Sequence, residues 1–142
     1  MSLHAVTIAV TWVWLGMVFA ISFIEAPLKF RAPGLTLPVG LGIGRLVFRA
    51  LNLAELLFAL VTCVGLLLAP PGPVATGALG GAVLLLAVQL IGIRPRLNRR
   101  TDAVLAGAPA PRSKAHHAYV ATEVLKVVAL VIGGVGLLTM IN

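Results

Sequence analysis

Apolar residues run along this chain in four long blocks, each closed by proline, glycine or charge. The blocks are Leu3 to Glu25, Gly44 to Leu68, Val74 to Ile93 and Ala115 to Ile141. Each is long enough to cross the hydrocarbon core of a bilayer, which takes about 20 helical residues. The pattern predicts an all-α fold, a four-helix transmembrane bundle in which residues 1–142 form a single integral membrane domain.

The breaks are equally informative. Pro27 closes the first block, and Lys29 to Ile43 reads as a loop with turn and breaker signals at Pro33-Gly34 and Pro38. Pro70-Pro71-Gly72-Pro73 separates the second and third blocks so tightly that they must be antiparallel neighbours. Pro95 is expected to end the third helix, leaving Arg94 to Lys114 as a basic loop with a linker around Pro109 and Pro111. Gly77 and Gly81 have the spacing that allows close helix contact. Trp12 and Trp14 fall about 13–16 Å along the first helix, deep for interfacial anchors, so at least one is expected inside the bundle.

Polar residues interrupt the blocks in a patterned way. Arg45, Arg49, Asn52 and Glu55 fall within an arc of about 120° on the second helix. His116, Tyr119, Glu123 and Lys126 share one face of the fourth, and Gln89 is the one strongly polar residue of the third. A charge facing lipid is costly, so these faces should turn inward. Asn52 and Glu123 lie eight residues into their spans, and Glu55 and Lys126 lie eleven in, so both pairs match in depth. Glu55 with Lys126, Glu123 with Arg49 and Glu25 with Arg45 are the ion pairs this suggests. Three carboxylates would then balance three cations, as burial requires.

Composition narrows the class. Hydrophobic residues make up 60% and charged residues 11%, with a mean hydropathy of +1.08; a soluble domain would be about a quarter charged. The lone Cys63 excludes an internal disulfide and a paired-thiol redox motif. The net charge of +7 would suggest nucleic acid in a soluble protein. Here the basic residues flank apolar spans, so no nucleic-acid partner is expected. An anionic lipid surface at Arg94, Arg96, Arg99 and Arg100 is the simpler partner. Loop lysines and arginines cluster in the first and third connections. The positive-inside rule therefore predicts both connections in the cytoplasm and both termini outside, in the cytoplasmic membrane of the cell.

No cofactor is expected. His116 and His117 point about 100° apart on a helix and no Glu-x-x-His pair accompanies them, so no metal site is read. His4 lies on the opposite side, which excludes bis-histidine haem ligation within one chain. No nucleophile, base and orienting group fall together, so no catalytic residue is assigned.

The segments GMVFAISFIEAPLKF, GRLVFRALN, RPRLNRRTDAVL and HHAYVATEV together resemble the small four-span family typified by transmembrane protein 205. That family has a Gly-rich first span ending in a Phe and Pro motif, a Gly-Arg and Phe-Arg stretch opening the second, and a Pro-Arg after the third. A His seven residues before an Asn opens its fourth span. Glu123 stands where the family usually has Asn, making this site more acidic. The resemblance implies the four-span fold and carries no particular activity.

Two functions remain open. One is binding or transport of a small polar or anionic solute from the cytoplasmic side, proton-linked through Glu55 and Glu123, with a homodimer supplying enough helices for two gates. The other is a structural or accessory membrane protein whose ion-pair network only fixes helix packing. A membrane enzyme ranks third. The candidate site residues are Glu25, Arg45, Arg49, Asn52, Glu55, Gln89, His116, Tyr119, Glu123 and Lys126.

Overall fold

The computed structural model describes residues 1–109 and 113–142. It contains four long helices: α1 (Leu3–Arg31), α2 (Leu37–Leu68), α3 (Gly72–Leu105) and α4 (Lys114–Leu138). All four are long and apolar enough to cross a membrane, and no strand occurs among the described residues. Three helix starts are capped by a hydroxyl: Ser2 accepts from the Ala5 amide, Thr36 from Val39 and Ser113 from His116. Each cap satisfies an amide that the helix itself leaves bare.

The helices run further than the breaks in the sequence suggest. Pro27 does not end α1, and Pro95 does not end α3. Phe19–Glu25 and Gln89–Ile93 are wound as π-helix, and each proline follows two residues after the wide stretch. A proline inside an α-helix lacks one hydrogen bond and strikes the carbonyl four residues back. A wider turn has already shifted that register, so the chain bends and continues. Pro38 is a helix starter instead, sitting in the first turn of α2, where its missing N–H has no intrahelical partner anyway. Residues 37–43 and 94–105 are therefore helical, not loop. Pro109 precedes the helix of α4 as expected, and Pro111 lies outside the described residues.

α1 packs between α2 and α4, and α3 packs along the length of α4 while touching α2 mainly near the basic end. α2 and α4 thus face each other across the diagonal. Trp14, Val18, Leu79, Leu86, Leu130 and Leu137 fill the centre. Trp14 is fully buried while Trp12 is 37% exposed. The close helix contact comes from α4: a Cβ at Gly133 would lie 2.5 Å from Leu79, and one at Gly136 would lie 3.0 Å from Ala75. Gly77 and Gly81 do not make the contact their spacing predicts, since a Cβ added at either would meet no neighbouring helix within 4 Å among the described residues. The end of α1, the start of α2, the end of α3 and the start of α4 share one end of the bundle, and most of the cations gather there.

Candidate functional site

Lys126 lies at the centre of the polar interior. Its ammonium reaches Glu55 Oε2 on α2 at 2.6 Å and Glu123 Oε1, one turn back on α4, at 2.6 Å. Its third bond goes to Gln89 Oε1 on α3, at 2.7 Å. Every N–H of the ammonium is therefore used. All four side chains are buried. The diagonal pair expected from matched depth, Glu55 with Lys126, is present.

The two carboxylates are treated differently. Glu123 has donors on both oxygens. Gln89 Nε2 approaches Oε1 at 3.5 Å, Ser22 donates to Oε2 at 2.7 Å, and the Tyr119 hydroxyl donates to Oε2 as well. Gln89 is held in turn by Thr122 at 3.0 Å. Glu55 receives Lys126 and the Trp14 indole N–H, at 2.8 Å, on a single oxygen. Its Oε1 is buried without a partner among the described residues. The interior thus holds two carboxyl groups and one ammonium, one positive charge short of the balance the spacing suggested.

The missing cations lie elsewhere. Glu123 does not meet Arg49. Arg49 is exposed, and with the half-buried Asn52 it lines a second, outward groove of about 470 Å³ between α2 and α3. Glu25 pairs with Lys29 at 3.5 Å and not with Arg45. Arg45 pairs with Asp102 at 2.6 Å and donates to the Asn98 carbonyl at 3.1 Å. The helical extension of α3 brings Asp102 within reach, which a basic loop would not have fixed.

A cavity of about 540 Å³ opens beside the basic end of the bundle. Lys29, Arg45, Arg94, Arg100 and His116 contribute to its wall, which is otherwise dominated by Phe23, Phe30, Leu37, Leu41 and Phe48. Ser22 and Tyr119 also line it, and these are the two hydroxyls bound to Glu123. Glu55 does not reach it. Gly40 lets α2 lie directly against the Phe30 ring, closing one side.

Of the candidates, Glu55, Gln89, Tyr119, Glu123 and Lys126 converge in the interior, while His116 and Arg45 line the cavity. Glu25, Arg49 and Asn52 stand apart from the cluster. Ser22 and Thr122 take part without having been singled out, and Trp14, one of the two tryptophans of which at least one was expected inside the bundle, also donates to Glu55. Ser22 and Gln89 lie in the two π-helical stretches, a winding that recurs at functional positions. The sequence signal for both is a polar residue a few positions before a proline within an apolar run. Among the described residues, no three His, Cys, Asp or Glu side chains gather where a metal ion would be held.

No family model, curated protein or solved structure matches this chain.

Proposed function

We propose that this chain binds or carries a small anionic solute from the cytoplasmic face of the cell membrane, with the buried acid–base cluster exchanging a proton. One observation supports this most directly: Ser22 and Tyr119 both line the cavity and donate to Glu123. An anion held among the cations of the cavity wall lies one hydroxyl away from a buried carboxyl group. Intramembrane ionisable groups are functional candidates by default, and carriers place such groups near the midplane. Arg96 and Arg99, exposed on the basic extension of α3, and Arg100 beside them would hold anionic lipid, while Arg94, expected among them, packs against Phe48 and Tyr119 instead. Transport by a chain with four helices would use a homodimer.

Native mass spectrometry of gently extracted protein, followed by flux assays in liposomes, tests this. A bound anionic adduct, and proton movement that Glu123→Gln abolishes, are expected. A bare monomer that moves neither protons nor organic anions would remove the proposal.

A structural or accessory role is the second reading, and it too has an observation behind it. Lys126 has spent all three N–H groups inside the bundle, and the cavity stops short of Glu55. A cluster that only locks helix register has these properties. Variants of Glu123 that fold normally and leave ligand binding unchanged would favour it.

A further inference from the structure

Arg94 packs against two aromatic rings that meet edge to face, 5.6 Å apart. Its guanidinium is 4.7 Å from the Phe48 centroid and 4.7 Å from that of Tyr119. Nε and Nη2 are buried and have no hydrogen-bond partner among the described residues. These two nitrogens form the side edge of the guanidinium fork. That edge matches a carboxylate or phosphate through two parallel N–H···O bonds. Leaving both donors unpaired is costly, because no protein acceptor among the described residues replaces the hydration they lost. Arg45 is not equivalent, since its Nη2 is already taken by Asp102 and the Asn98 carbonyl.

The wall beyond Arg94 is apolar, formed by Phe23, Phe30, Leu37 and Leu41. A small hydrated anion can use the cations of the cavity but gains nothing from this apolar part, whereas a hydrocarbon chain gains there by leaving water.

We propose that the cavity takes an amphiphilic anion with a single apolar chain, its carboxylate or phosphate head on the Nε–Nη2 edge of Arg94 and its chain along Phe23, Phe30, Leu37 and Leu41. This rests on the proposal that the cavity binds an anion and specifies the class. At about 540 Å³ the cavity falls within the size range of small-molecule sites. It is too small to enclose both chains of a phospholipid. The fork edge is buried, so the guanidinium turns as the head arrives.

The test is equilibrium binding of radiolabelled dodecyl phosphate to the full chain in nanodiscs of neutral lipid, with empty nanodiscs as background. Saturable binding is expected, with dodecanoate competing and inorganic phosphate competing at least 100-fold more weakly. Arg94→Lys keeps the charge but loses the fork, and should weaken binding at least tenfold. Leu97→Trp, which fills the cavity from α3, should do the same and serves if the arginine variant fails to fold. If inorganic phosphate competes as well as dodecyl phosphate, the single-chain class falls while anion binding stands. Equal competition by dodecanol overturns the anionic head. Equal competition by two-chain phosphatidate overturns the single-chain ligand in favour of a lipid surface. Absence of saturable binding for both dodecyl phosphate and inorganic phosphate overturns this proposal together with the anion-binding function.

Discussion

Lys126 with Glu55 and Arg45 with Asp102 are both 2.6 Å apart, yet they belong to different physical regimes. The first pair is enclosed, with side-chain exposures of 0% and 1%. The second is open, at 32% and 66%. Water and salt screen the open pair, and the long Arg45 side chain loses freedom to form it, so its net contribution is small. The enclosed pair has no such screening, but both charges left water to reach it. Its value therefore lies less in the attraction gained than in the damage done by removing one member. Equal distances do not mean equal energies; the surroundings decide.

Lys126→Met is the sharpest way to break the comparison. It leaves Glu55 and Glu123 in the interior without a cation and should cost about 3–5 kcal/mol. Unfolding by SDS titration in mixed micelles, followed by circular dichroism, reads this directly, and a loss below that of an ordinary core substitution would show that the cluster is hydrated. Adding Lys126→Ala to Glu55→Ala should deepen the loss, because Glu123 then loses its one cation partner among the described residues. A simple two-residue pair would behave in the opposite way, with the second change rescuing the first.

Gly133→Val supplies a benchmark from the apolar half. Its new side chain would press on Leu79 and should cost about 1–3 kcal/mol in the same titration, without altering the ligand binding proposed at the basic end. Glu55→Gln should be milder, at about 1–2 kcal/mol, since the amide keeps the shape and leaves Lys126 paired with Glu123. A larger loss than for Gly133→Val would mean that Lys126 depends on Glu55 more than on Glu123. Asp102→Ala should change stability by less than about 1 kcal/mol and should fade further in high salt. A loss near that of Lys126→Met would place the open pair in the enclosed regime.

The sequence displays the four apolar blocks plainly, because lipid leaves the backbone few choices. It also displays Glu55 with Lys126, because equal counts from the basic end bring them to one level. Arg49 shows why depth is not enough. It stands about 120° around α2 from Glu55, at the far edge of the polar arc, and that angle turns it outward. Pro27 and Pro95 mislead for a local reason: a proline stops an α-helix, but not one already widened just before it. That winding depends on packing against neighbouring helices, which no single segment encodes. Ser22 and Trp14 were obscured by chemistry, since one hydroxyl and one indole in an apolar run resemble ordinary packing residues until a carboxylate faces them.

The wide winding of α1 has a consequence for helical phase. Each residue of an α-helix turns the next by about 100°, so a stretch that accommodates an extra residue re-aims everything beyond it. Lys29 and Phe30 face the cavity because Phe19–Glu25 is wound that way. Deleting Ile24, which is 48% exposed and contributes nothing polar, would let ordinary winding return. Trp14 and Thr11 would stay where they are, while Lys29 would swing away from Phe48 and Phe30 away from Gly40. The direction in which the basic end of α1 faces is thus set by how many residues precede it as well as by which residues they are.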